Sequence, residues 1–138
     1  MASRGESKPS GKGSTGRKGE ELAAGHLVRQ GCKILATNWQ ANPGEVDIIA
    51  QCPDAGGRSL LAFVEVRTRH GRAGLAEESI SKRKAASMVS AAYAYMEAEQ
   101  IDPEVTPWRI DLVAIALTGS TISHLNWVRG ALDEGLLA

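Results

Sequence analysis

The chain has 138 residues, 43% of them hydrophobic and 23% charged, with a formal net charge of zero. That is an ordinary balance for one soluble globular domain with length enough to bury a core, and it excludes bulk charge attraction to nucleic acid. No apolar run approaches membrane-spanning length and the N-terminus lacks the apolar block of a secretory signal, so the expectation is a cytoplasmic protein with no membrane partner.

The charge is unevenly spread. Leu60 to Ser90 holds Arg67, Arg69, Arg72, Lys82, Arg83 and Lys84 against three acids, whereas Ala91 to the end holds two basic residues against seven acids. A neutral chain of this kind still carries one basic face. Cys32 and Cys52 form no C-x-x-C pair. They read as isolated thiols of a reducing compartment or as packing residues, with a disulfide between them as the alternative.

Residues 1–18 are rich in Gly, Ser, Lys and Arg with almost nothing to bury, and read as a disordered basic tail. The single domain is expected over 19–130, with a second tail at 131–138. From about Arg17 to Gln30 the apolar positions Leu22, Ala23, Leu27 and Val28 recur at helical spacing, and Gly31 is a C′ stop. Glu20 and Glu21 fall in the first turn of that helix, where acids complement its dipole. Lys33 to Trp39 reads as a strand, Asn42-Pro43-Gly44 as a turn, and Glu45 to Gln51 as a second strand. Cys52 to Ser59 is hairpin-loop chemistry, and Leu60 to Thr68 a third, near-continuously apolar strand.

A basic Gly-containing loop follows, with Arg69 and Arg72. Then comes a helix from Lys82 to Glu99, with Ser81 as N-cap and Ala85, Met88, Val89, Ala92 and Met96 on its buried face. Lys82, Arg83 and Lys84 occupy its first turn, where cations oppose the dipole and an anion such as phosphate is welcome. Trp108 to Leu117 and Thr121 to Val128 read as two more strands. The order α-β-β-β-α-β-β predicts an α/β fold with a mixed sheet flanked by helices.

Two carboxylates interrupt these apolar strands: Asp47 in the second, Glu65 in the third. Burying a charge is costly unless something compensates. A hairpin centred on Gly56 puts Asp47 and Glu65 opposite each other, with Cβ atoms about 4.5–5.5 Å apart, and alternation puts Arg67 on the same face. Such a pair offers hard oxygen ligands for Mg²⁺ (or Mn²⁺), and Arg67 a charge to stabilise a phosphorane. The competing reading is structural ion pairing of Asp47 with Arg67 or Arg109. Asp111 is expected to pair with Arg109 or a helix cation. Glu45, opposite in phase to Val46, is expected to face solvent. His26 is placed on an exposed helix face, His70 in the basic loop, and Trp39, Trp108 and Trp127 in packing roles.

Gly44-Glu45-Val46-Asp47 followed by Glu65-Val66-Arg67 resembles the divided metal motif of the PD-(D/E)xK, or restriction-endonuclease-like, superfamily. The wider pattern is similar to the bacterial YraN-type family of endonuclease-like proteins. It includes Gly16-Arg17-Lys18-Gly19-Glu20, the Gly31 to Asn38 segment, Phe63 to Arg69, Lys84, and Arg109-Ile110-Asp111-Leu112-Val113. The resemblance implies an α-β-β-β-α-β core and Mg²⁺-dependent hydrolysis of DNA phosphodiesters. Asp47 and Glu65 would be metal ligands assisted by Glu20, with Arg67 in the motif's cation slot. A likeness to Holliday-junction resolvases implies branched DNA as substrate and a homodimer. Arg69, Arg72, Lys82, Arg83 and Lys84 are the candidate nucleic-acid contacts. Where the superfamily carries Lys, this chain has Arg67, which holds a fixed charge and effectively never loses its proton. The alternative class is a nucleic-acid-binding or assembly module that keeps the fold and does not cut.

Overall fold

The computed structural model describes residues 14–42, 44–71 and 80–131. Seven elements follow in the expected order: α1 (Ser14–Arg29), β1 (Lys33–Ala41), β2 (Gly44–Pro53), β3 (Ser59–His70), α2 (Lys82–Ala98), β4 (Trp108–Thr118) and β5 (Thr121–Val128). The strands form one five-stranded sheet in the order β1-β2-β3-β4-β5. Neighbours are antiparallel except β3 and β4, which are parallel. A parallel pair requires a crossover, and α2 is that crossover.

The two helices cover opposite faces. Ala23 and Leu27 of α1 pack with Ile48, Ala50, Val64, Val113 and Ile115. Met88, Ala92, Tyr95 and Met96 of α2 pack with Trp39, Val46, Ile49, Phe63 and Ile110. Covering both faces is what makes β2, β3 and β4 apolar almost without alternation. The α2 face holds the expected Ala85, Met88, Ala92 and Met96 together with Ala91 and Tyr95, while Val89 is only partly buried at its margin. Ser81 caps the helix as expected: its hydroxyl accepts from the Lys84 N–H at 3.1 Å.

α1 begins at Ser14, about one turn earlier than the sequence pattern indicates, and so takes residues 14–18 out of the tail. Residues 1–13 and 132–138 of the two expected tails lie outside the described residues. The early start also removes Glu20 and Glu21 from the first turn, which holds no acid. α1 ends as expected at Gly31, whose φ is 97°. The Cys32 N–H donates to the Leu27 carbonyl at 3.0 Å and the Gly31 N–H to the Val28 carbonyl at 3.0 Å, the two bonds of a Schellman motif.

That turn delivers Cys32 opposite Cys52, one step beyond the Lys33↔Gln51 pair. The two cysteines form a disulfide, with Cα atoms 4.2 Å apart. The isolated-thiol reading is corrected: residues 20 apart in sequence become cross-strand partners, and both are buried. Among the described residues, no helix is long and apolar enough to cross a membrane.

Candidate functional site

The hairpin between β2 and β3 sets the site. Its turn is held by Asp54, whose Oδ1 accepts from the Gly56 and Arg58 N–H groups at 2.8 Å each. The resulting register pairs Cys52 with Leu60, Ala50 with Ala62 and Ile48 with Val64. One further step places Asp47 level with Glu65, as a Gly56-centred hairpin requires. The ladder, however, stops at Ile48↔Val64. Beyond it the Asp47 carboxylate lies between the strands, and the Val66 N–H donates to its Oδ2 at 2.8 Å.

The backbone is irregular at that point. Val46 belongs to the cluster under α2 and Ile48 to the cluster under α1, although residues two apart in a regular strand share a face. The break at Asp47 switches faces. In β1 the flanking pairs Thr37↔Ile48 and Trp39↔Val46 leave Asn38 across from Asp47, whereas the register of this pair shifts earlier, between Ile34 and Ala36. Asn38 has φ 50°, a left-handed conformation that Asn tolerates better than most residues. Its Oδ1 is buried with no hydrogen-bond partner among the described residues. Backbone strain of this sort concentrates at functional sites.

Glu65 and Arg67 project to the α2 face, as alternation predicts. The Glu65 side chain is 13% exposed; its Oε2 lies 4.0 Å from Arg67 Nε and its Oε1 lies 3.4 Å from Lys84 Nζ. Lys84 therefore stands at the site, paired with Glu65, rather than among the outward-facing cations. Lys82 and Arg83 are exposed beside it in the first turn of α2. Arg69 is exposed at the end of β3, its Nη1 donating to the Thr68 carbonyl at 2.9 Å. Arg72 lies outside the described residues.

Glu20 approaches from the other face. It precedes the buried Ala23 and Leu27 by three and seven residues, which puts it on the sheet-facing stripe of α1, and it is 8% exposed. Gly19 brings this turn close, because a Cβ there would strike the Thr68 hydroxyl. Gly44 does the same for α2, since a Cβ there would run into the Ser87 carbonyl. The two glycines thus let both helices close on the sheet around the opening at Asp47.

Glu45 departs from expectation. It is half-buried, and its Oε2 is shielded with no hydrogen-bond partner among the described residues. Phase alone could not show this, because the break at Asp47 follows two residues later. Among the described residues, no three His, Cys, Asp or Glu side chains gather into a metal cage. Asp47 and Glu65 are neighbours across the opening, while Glu20 reaches the same strand end from the α1 side. Asp47 and Glu65, level with each other where the β2–β3 ladder stops, offer hard carboxylate oxygens as donors. That chemistry suits Mg²⁺, which is commonly held by only one or two carboxylates together with waters and substrate phosphates.

Asp111 forms a separate centre. It is fully buried, and accepts from Arg109 Nε at 2.8 Å, from the Gly130 N–H at 2.9 Å and from Trp127 Nε1 at 2.9 Å. The expected pairing with Arg109 is present. His26 is half-buried rather than exposed, its ring 6.2 Å from that of Trp127 in an edge-to-face arrangement. Burial, then the positive charges of Arg29 and Arg129, hold its pKa below the ordinary histidine value. His70 belongs to the end of β3 rather than to a loop.

The fold and its opened strand pair define a mixed α/β domain whose order is consistent with a restriction-endonuclease-like core. The chain belongs to the UPF0102 family, the YraN-type family that its sequence resembles: the model described as "Uncharacterised protein family UPF0102" matches residues 19–115. A UPF0102 protein of Chloroflexus aurantiacus is 38% identical over 126 residues, 91% of this chain and 98% of that protein. One from Roseiflexus castenholzii is 45% identical over 100 residues, covering 72% and 76%. One from Pseudomonas paraeruginosa is 36% identical over 120 residues, covering 86% and 91%.

Proposed function

We propose that this protein is a Mg²⁺-dependent (or Mn²⁺-dependent) endonuclease-like protein that hydrolyses phosphodiester bonds in DNA, branched DNA included. The observation that carries the reading is the Asp47 carboxylate seated in the gap between β2 and β3, on the Val66 N–H at 2.8 Å, beside Glu65. Asp47 and Glu65 would hold the cation, with Glu20 supporting them from α1. A hard divalent ion bound there supplies polarisation of a phosphoryl oxygen and a lowered pKa for water.

The chain's own residues divide the remaining work. Arg67 offers a fixed positive charge and a hydrogen-bond fork for a phosphate oxygen. Lys84, 3.4 Å from Glu65, adds a compact ammonium beside the carboxylate pair, a point charge where Arg67 offers a fork. Arg69, Lys82 and Arg83 face solvent and suit sequence-independent phosphate contacts, as does Arg72 on its sequence. A homodimer would present two such sites to a branched substrate.

The test is cleavage of branched and linear DNA with Mg²⁺ or Mn²⁺. Asp47→Asn and Glu65→Gln should each abolish it, and cutting that persists in both variants would sink the assignment. The second reading, a nucleic-acid-binding or assembly module that does not cut, draws on one observation: Glu65 already lies between Lys84 and Arg67. Salt-sensitive DNA binding with no cleavage under either metal would favour it.

A further inference from the structure

On the α1 face, away from Lys84, a second group of cations surrounds Trp127. The Arg129 guanidinium lies 3.7 Å from the Trp127 ring centroid and the Arg109 guanidinium 5.9 Å from it. His26 meets the same ring by its edge at 6.2 Å. Arg29 is on the last turn of α1 with His26, and both Arg29 and Arg129 act electrostatically on that imidazole. Three guanidinium groups and a histidine therefore share one small area.

The carboxylate within this group is already committed. Asp111 is fully buried and its two oxygens serve Arg109, Trp127 and the Gly130 N–H. Among the described residues, neither Arg29 nor Arg129 makes an ion pair. Arg109 Nη2 is shielded from water with no acceptor among the described residues. A stacked guanidinium keeps its N–H edge available and its plane fixed, which is the preorganisation that bidentate phosphate recognition uses. Simple complementation of the α1 dipole accounts for His26 and Arg29, but not for Arg129 and Arg109 converging from β4 and the end of β5.

Position relates this patch to the opened strand pair. Val66 pairs with Val113, and Val113 with Trp127, so the three lie in one row across the sheet. Trp127 is two strands from Val66, roughly 10 Å at the usual strand spacing. That is about three base steps along a duplex axis.

We propose that Trp127 with Arg29, Arg109, Arg129 and His26 forms a second docking surface for a nucleic-acid backbone, distinct from the Lys82–Arg83–Lys84 turn. It rests on the nucleic-acid reading above, and extends the footprint onto the face of the sheet that α1 covers. The stacked Arg129 takes a phosphate, and the surface adds its own counterion release to binding.

The test uses the full chain with ¹⁵N-labelled indoles, titrated without metal with a short duplex and, separately, with inorganic phosphate. The Trp127 Nε1–H, which donates to Asp111, should shift on adding DNA while the buried Trp39 signal stays in place. Arg129→Glu and Arg29→Glu, both at exposed positions, should each weaken DNA binding about tenfold and reduce the salt slope by about one for each phosphate left unneutralised. DNA that binds without moving the Trp127 signal, or with an unchanged salt slope in both variants, overturns the proposal. So does an absence of DNA binding. An equal shift with phosphate alone, at matched phosphate concentration, makes this a small-anion pocket and also overturns it. The two readings fail separately. DNA bound through this surface but never cut sinks the nuclease reading alone; Asp47-dependent cutting that Arg129→Glu and Arg29→Glu leave unaffected sinks only this one.

Discussion

Asp47 and Asp111 look alike in the sequence: each is one carboxylate inside an apolar strand. Their surroundings differ. Asp111 is 0% exposed, and its two oxygens are held by a guanidinium, an indole N–H and a backbone N–H. It ties β4 to β5 and to the turn after β5. Asp47 is 3% exposed and sits where the β2–β3 ladder stops, between a residue of left-handed backbone on one side and Glu65 on the other. One carboxylate closes a structure and the other occupies an opening. Burial by itself does not mark function; what the backbone does around the buried charge is the better guide.

The sharpest way to break this comparison is to remove each acid. Asp111→Ala leaves the part-buried Arg109, the Trp127 indole N–H and the Gly130 N–H without their acceptor and should cost about 3–5 kcal/mol of stability, read by urea denaturation. Asp47→Asn keeps an oxygen for the Val66 N–H and should cost only about 1 kcal/mol, while metal-dependent cleavage falls by at least about 10²-fold on the scale of a missing electrostatic stabiliser. Equal stability losses from the two substitutions would erase the distinction.

A smaller effect tests how tightly the opening is built. Gly44→Ala pushes a methyl group into the Ser87 backbone carbonyl, which cannot rotate away, and should destabilise by about 1–3 kcal/mol. Gly19→Ala meets the Thr68 side chain, which can rotate in part, and should cost less. If thermal melts rank the two in the reverse order, the close approach of α2 is not what shapes this end of the sheet.

The smallest effect probes the surroundings of Asp111. Burial, with help from Arg29 and Arg129, keeps the His26 pKa below the ordinary 6.5. The folded protein therefore takes up this proton less readily than the unfolded chain does. Any stability linked to His26 is complete above about pH 6.5 and is lost as pH falls from there through the lowered value. A slight drop in Tm over that window should vanish in His26→Asn and shrink in Arg129→Glu. A Tm that rises on acidification in the parent but not in His26→Asn would reverse the sign and contradict the electrostatic account.

Much of the fold is legible in local pattern. Ser81 as a cap, the apolar stripe of α2 and the Gly31 stop depend on neighbours within a turn or two. The register of β2 and β3 is readable because a short hairpin ties it to the turn. Other features depend on groups distant in the chain. The Cys32–Cys52 bridge requires the α1 stop to aim one strand end at another. The ion pair of Lys84 with Glu65 requires the crossover to seat α2 over that end of β3. Strict alternation assigns Glu45 to solvent, and alternation fails at Asp47. Nor is the cluster around Trp127 legible, because His26, Arg109 and Arg129 come from α1, β4 and the end of β5.

Sequence alone thus determined the elements, their order and the identity of the acids that interrupt the strands, since propensity, capping and periodicity act over a few residues. Tertiary structure decided which acid closes and which sits in an opening. That outcome turns on where two strands stop pairing and which helix covers each face, and these depend on packing of the whole sheet.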